Sequence, residues 1–194
     1  MVARIVMETR MDRLFELQTL ITADAARMRI LRSVRELALP DCWVAAGFVR
    51  NCAWDHVHQH ATSALPEDID VIWFDSNDAT AARDAALENV LRAGDATLRW
   101  SVKNQARMHG RNADQPYRAS TDAMRHWPET ATAVGVRLSH AGAIEVAAPF
   151  GLDDLFDLVV RPTARFTGAK HAIYLERIRA KNWQARWPGL TIAL

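Results

Sequence analysis

Two aspartates stand one residue apart at the mouth of an apolar run, Pro66-Glu-Asp-Ile-Asp-Val-Ile-Trp-Phe-Asp75. The run reads as a strand, and residues two apart on a strand share a face. Asp68 and Asp70 are therefore expected to converge on one point. Adjacent like charges repel, so the pair is costly until a cation or a proton neutralises it. A divalent metal held for phosphoryl-type chemistry is the sharpest explanation. The plain alternative is an ordinary strand with two solvated aspartates.

A second apolar run lies upstream and ends in glycine, Trp43-Val-Ala-Ala-Gly47, with a helical segment after it. Backbone N–H groups at a helix N-terminus are unpaired and sit at the positive end of the helix dipole. They form a ready phosphate site, and Gly47 would let a phosphate chain approach the backbone. Arg50 and Asn51, one turn into that helix, are placed to touch the same ligand, or to serve as helix-end hydrogen-bonding groups.

These pieces need elements to hold them. Hydrophobic periodicity predicts helices over 9–20 and 22–38, the second capped by Thr22. A short buried strand follows at 43–47, a helix at 48–58, and the diacid strand at 69–74. Asp78 is expected to cap a helix over 79–92 that Gly94 stops. A strand over 97–102 and a short helix from Ser120 to Pro128 come next. Runs 130–138 and 143–148 flank Ser139-His-Ala-Gly142 as a hairpin. Residues 152–160 read as a helix. The alternation of helices and strands predicts one mixed α/β (α+β) domain over residues 1–194.

Composition excludes several classes. The net charge is +1, so no global field favours a polyanion or an anionic membrane. No apolar run is long enough to span a bilayer. Only Cys42 and Cys52 are present, which is no disulfide scaffold, and a reducing cytoplasm is the default setting. A basic stretch at 161–186 carries Arg161, Arg165, Lys170, Arg177, Arg179, Lys181 and Arg186 against Glu176 alone. It is the sole support for nucleic-acid binding, which is not favoured. His56, His58 and His60 alternate, but only the first and last share a helix face, and no cysteine completes a zinc set.

Three chemistries use an Asp-x-Asp. Haloacid-type phosphatases and metal-dependent glycosyltransferases place it at the end of an apolar run, whereas here the acids precede the run. The order of strand, small-residue turn, helix, then Asp-x-Asp strand fits the DNA polymerase beta type of nucleotidyltransferase. Further blocks strengthen the likeness: Ala45-Ala-Gly-Phe-Val-Arg-Asn51, Val102-Lys-Asn-Gln-Ala-Arg-Met-His109, Trp127-Pro-Glu-Thr-Ala131, Ala148-Pro-Phe-Gly-Leu-Asp-Asp-Leu-Phe156 and Trp187-Pro188. Over about residues 15–190 the chain resembles a small bacterial nucleotidyltransferase family.

That resemblance implies a nucleotidyltransferase-type mixed sheet flanked by helices. It implies Mg2+-dependent transfer of a nucleoside monophosphate from an NTP to an unidentified acceptor, with Asp68 and Asp70 as catalytic metal ligands. Gly47, Arg50, Asn51, Lys103 and Arg107 are the expected nucleotide contacts, although Lys103 and Arg107 equally suit structural salt bridges. His109 is a further candidate for phosphate or acceptor. The chain departs from the wider superfamily in having Gly47-Phe48 where Gly-Ser or Gly-Gly is usual. It also lacks an acid in 97–102 to serve as third carboxylate. Glu145 is the expected third acid, with Asp75 second. The alternative reading is a catalytically inactive domain of this fold that binds nucleotide, nucleic acid or a partner protein.

Overall fold

The computed structural model describes the backbone of residues 2–194 and the side chains from residue 11 onward. Its main sheet has five strands: β1 (Trp43–Ala45), β2 (Ile69–Trp73), β3 (Trp100–Asn104), β4 (Gly135–Leu138) and β5 (Ile144–Ala147). Their order is β3-β2-β1-β4-β5. β2 and β3 run parallel, and the other neighbours are antiparallel. Helices α1 (Val2–Ala23), α2 (Ala25–Glu36), α3 (Gly47–Val57) and α4 (Ala81–Gly94) flank it. The expected mixed α+β architecture is the one observed.

Alternation along β2 decides which face does what. Ile69, Val71 and Trp73 are fully buried, against Leu17 and Ile21 of α1, Ile30, Leu31 and Val34 of α2, and Phe48 and Val49 of α3. Each large apolar side chain removed from water contributes about 1.5–3 kcal/mol. Asp70 and Ile72 point to the opposite face. There the register runs Ser101, Asp70, Ala45, Gly135, Ala147 across all strands. The small residues beside Asp70 keep the sheet low on that side. A Cβ on Gly135 would stand 3.2 Å from the Trp43 Cβ. The far end of this face is closed by Met124 and Ala133, packed on Trp43 and Ile72.

Three boundaries differ from expectation for local reasons. Asp24, not Thr22, caps α2, and its carboxylate accepts the Arg27 N–H at 2.9 Å. Thr80, not Asp78, caps α4, its hydroxyl accepting the Arg83 N–H at 3.3 Å. The helix expected over 152–160 stops early, at α7 (Asp153–Phe156), after the short α5 (Met108–Asn112) and α6 (Ser120–Met124). Leu158 then takes a positive φ of 58°. The β-branched pair β6 (Val159–Val160) joins β7 (Thr191–Ile192) in a small parallel sheet. Between them lies α8 (His171–Lys181), inside the stretch read only as basic.

The C-terminal segment is anchored on α3. Trp183 and Trp187 pack edge-on against Trp54, with ring centroids 5.6 and 5.1 Å away. Asp55 accepts from Trp187 Nε1 at 2.8 Å, Ser63 Oγ at 2.8 Å and Arg186 at 2.9 Å. Burial alone would raise the Asp55 pKa, but these hydrogen bonds, one to His60 and the Arg186 charge hold it below the ordinary value. The basic stretch is largely consumed in such pairs: Arg161 with Asp154, Arg165 and Lys170 with Asp114, Arg177 with Glu129, Arg186 with Asp55.

Candidate active site

The site begins at the turn from β1 into α3. Ala46 adopts φ 56° and ψ −121°, a conformation that suits glycine. Its N–H donates to the Val134 carbonyl at 2.9 Å, and its carbonyl accepts from the Arg50 N–H at 2.9 Å. This turn aims the start of α3 back over the sheet. A residue held there costs about 1–3 kcal/mol. Ala46→Gly is therefore expected to raise unfolding stability by about 1 kcal/mol, measured by denaturant melts. An unchanged or lower midpoint would mean the turn is not strained.

Gly47 stands at this turn, as expected, but the positive φ belongs to its neighbour. The missing Gly47 side chain faces Pro66, 3.2 Å from a built Cβ, and the Arg50 guanidinium at 3.4 Å. A larger residue would displace Arg50 and the 58–66 loop before it met any ligand.

Across the sheet, Asp70 pairs in register with Ala45 on one side and Ser101 on the other. Burial, followed by the Asp68 charge, pushes the Asp70 pKa up to about 6. The neighbouring Ser101 and the charges of Arg50 and Arg177 act in the downward direction. Asp68 stands exposed in the bend just before β2, outside the walls of the cavity, and its charge acts on Asp70 from there. Asp70 lines a cavity of about 260 Å³ with Ala46, Ser101, Lys103, Trp127, Thr132 and Arg177 among its walls.

The other expected residues divide. Lys103 reaches this cavity, but its ammonium is held by Glu88 at 2.6 Å and the Val102 carbonyl. Arg50 lies buried beneath the turn, its guanidinium 5.1 and 4.5 Å from the Trp54 and Trp183 rings. Burial lowers its pKa to about 10, against the opposing charge of Glu129. Asn51 is also buried and accepts from Arg50 at 2.9 Å. His109 bonds the Ala106 carbonyl through Nδ1 at 2.9 Å.

Arg107 does not face the cavity. Its Nε and a terminal amino group donate to Asp84, which also accepts from Trp73 and the Asn104 N–H. Trp73 belongs to the core face, so the structural alternative describes this arginine.

Glu145 is not brought to the diacid. The hairpin places β4 beside β1 and leaves β5 at the sheet edge, so two strands intervene between Glu145 and β2. Three strand spacings of about 4.8 Å put it roughly 14 Å away. Its carboxylate instead takes the Arg137 Nε at 2.6 Å, and Arg137 lies 4.2 Å over the Trp43 ring. Asp75 lies beyond the far end of β2, accepting from the Asn77 N–H. The position beside Asp70 on the parallel strand is Ser101.

Two residues in or under the cavity had no sequence signal of their own. Arg177 was one cation in a basic stretch. Glu129 sits within Trp127-Pro-Glu-Thr-Ala131, a block with neither helical nor strand periodicity, yet it is fully buried and pairs with Arg177 at 2.6 Å.

Among the described residues, no group of three or more His, Cys, Asp or Glu is arranged to hold a metal. Two carboxylates still fit Mg2+, which keeps several waters and takes one or two carboxylates plus substrate phosphates. The half-buried Asp70 in the cavity and the exposed Asp68 just before β2 are the two carboxylates that would hold such an ion.

The fold has known counterparts. A protein whose NMR structure reveals a CCA-adding enzyme head domain superposes with a TM-score of 0.82 at 36% identity, covering 92% of this chain and 94% of that one. A CCA-adding enzyme complexed with CTP gives 0.59 at 15% identity, covering 92% of this chain and 43% of that one. The Thermotoga maritima CCA-adding enzyme complexed with tRNA gives 0.57 at 16% identity, with coverage of 92% and 42%. The chain spans less than half of those two enzymes, and at such identities they share its fold alone. No curated protein matches the sequence. A family described as Nucleotidyltransferase matches residues 32–192, which hold the turn, the diacid strand, the β3 wall and Arg177. With that span and the close likeness of the head domain, the chain belongs to the nucleotidyltransferase family.

Proposed function

We propose that the protein transfers a nucleoside monophosphate from an NTP to an acceptor, with Mg2+ bound by Asp68 and Asp70. The observation that carries this reading is the half-buried Asp70, raised by burial and by Asp68, in a cavity walled by the turn into α3. Bound Mg2+ would supply positive charge to the reacting phosphoryl oxygens. The chain's own part is positioning, the main demand of in-line phosphoryl transfer. The first N–H groups of α3 offer donors to phosphate oxygens. Trp127 and Pro128 add an apolar part to the cavity wall.

One observation favours the second reading, a nucleotide-binding domain without turnover. Ser101 occupies the place beside Asp70, and neither Glu145 nor Asp75 supplies a third carboxylate. The likeness to a CCA-adding enzyme head domain puts tRNA first among acceptors to test. The basic stretch adds little to that choice, because most of its charges are paired within the chain.

The experiment is a transfer assay with α-labelled NTPs, Mg2+ and short RNAs, with pyrophosphate release read in parallel. Labelled product that vanishes with Asp70→Asn supports transfer. Mg2+-dependent NTP binding without pyrophosphate release establishes the second reading. Absence of NTP binding overturns both.

A further inference from the structure

We propose that Arg177 binds the polyphosphate of the ligand, and that Glu129 is a positioning residue shared between Arg177 and Arg50. Arg177 can then leave it for the ligand. The proposal rests on the reading of the cavity as a nucleotide site, and deepens it.

Arg177 projects from α8 into the cavity that holds Asp70, Ser101 and Lys103. Its side chain is 33% exposed although its partner Glu129 is fully buried. Its guanidinium lies 5.7 Å from the Trp183 ring, and its one hydrogen bond to the described residues runs from Nε to Glu129 Oε1 at 2.6 Å. The terminal amino groups make no hydrogen bond to the described residues. Lys103 is also a cavity cation, but it is committed to Glu88 and to a backbone carbonyl. Arg177 is thus the cavity cation with donors to spare. A planar guanidinium matches two phosphate oxygens at once, which an ammonium cannot.

Moving Arg177 would ordinarily strand a buried carboxylate, which is strongly unfavourable. Here a second guanidinium lies beside it. Arg50 is caged by Trp54 and Trp183, with terminal amino groups on Thr132 Oγ1 at 3.3 Å and Asn51 Oδ1 at 2.9 Å. Its Nε is buried with no partner, and so is Glu129 Oε2. An unused donor and an unused acceptor therefore flank the same pair. Glu129 also supplies the largest opposite charge acting on Arg50. When Arg177 turns to a phosphate, Glu129 stays neutralised by Arg50.

The test uses Mg2+ with inorganic tripolyphosphate, a probe with no base or sugar, on the full chain. Calorimetry on Arg177→Met is expected to give about 10–100-fold weaker binding, the scale of a charged hydrogen bond. Arg177→Lys is expected to recover part of it, because the charge returns without the fork. In wild-type protein, the Nε–Hε signals of Arg177 and Arg50 are expected to shift together as the probe is added. This NMR measurement decides the matter should Arg177→Met fail to fold. Folded Arg177→Met with unchanged affinity overturns the phosphate role. An Arg50 signal that stays still while that of Arg177 moves overturns the sharing of Glu129. Wild-type protein that binds neither Mg2+-tripolyphosphate nor Mg2+-NTP overturns the nucleotide reading and this proposal with it.

Discussion

Replacing Asp70 with asparagine is expected to abolish Mg2+-dependent nucleotide binding and, at the same time, to raise the melting temperature of the metal-free protein above pH 7. Both effects come from one cause. Asp70 is half-buried beside Asp68, so its ionised form is disfavoured and its pKa rises to about 6 from 3.8. Between those values the folded state holds a proton that the unfolded state has lost. Wild-type stability should therefore fall as pH rises from about 4 through about 6, and level off above. The full shift corresponds to roughly 3 kcal/mol, and partial exposure reduces it to on the order of 2 kcal/mol. Asparagine carries no such slope. The variant should gain most at pH 8 and converge with wild type near pH 4. Adding Mg2+ with NTP should raise the wild-type melt at pH 8 and leave the variant unmoved, and any turnover should drop at least about 10³-fold. Melts at pH 4 and pH 8, with and without Mg2+-NTP, separate the two effects. A variant less stable than wild type at pH 8 would show that Asp70 is a structural acid.

The turn and the sheet face were legible because each depends on local order, whereas Asp68 falls in the bend before β2, where strand alternation no longer applies. Strand periodicity alone places Asp70 and Ile72 opposite Val71, and a glycine after an apolar run marks the turn. The strain itself is one residue earlier, at Ala46, because the backbone conformation there is imposed by Val134 and Arg50 rather than by residue type. Glu145 was misplaced for a different reason. A hairpin signal says that β4 and β5 pair, but not which of them lies beside β1. That choice rests on tertiary contacts such as the close fit of Gly135 against Trp43 and Ala45. Arg177 and Glu129 were illegible because their pairing joins elements 48 residues apart. Neither residue type nor spacing records such a contact.

Asp84→Ala is expected to be the most destabilising single change outside the apolar core. Asp84 is 3% exposed and sits in the first turn of α4, where the helix dipole favours a negative charge. Its carboxylate takes the Trp73 indole N–H at 2.9 Å, the Asn104 backbone N–H at 2.9 Å and the Arg107 Nε at 3.0 Å. It therefore ties the end of β2, the end of β3 and the following turn to α4. Alanine would leave a buried indole N–H, a buried amide and a part-buried guanidinium without an acceptor. Breaking a buried charged pair from one side costs about 3–5 kcal/mol. In a chain of this size that lowers the melting temperature by about 10 °C. Asp84→Asn keeps one acceptor and should lose less. The same network bears on Arg107, which the sequence nominated for the nucleotide. Arg107→Met should lower stability by about 1–3 kcal/mol and leave Mg2+-NTP affinity within about twofold of wild type, when both are measured well below the melt. The two readouts oppose each other: a variant with normal stability and tenfold weaker binding would move Arg107 from the scaffold into the site.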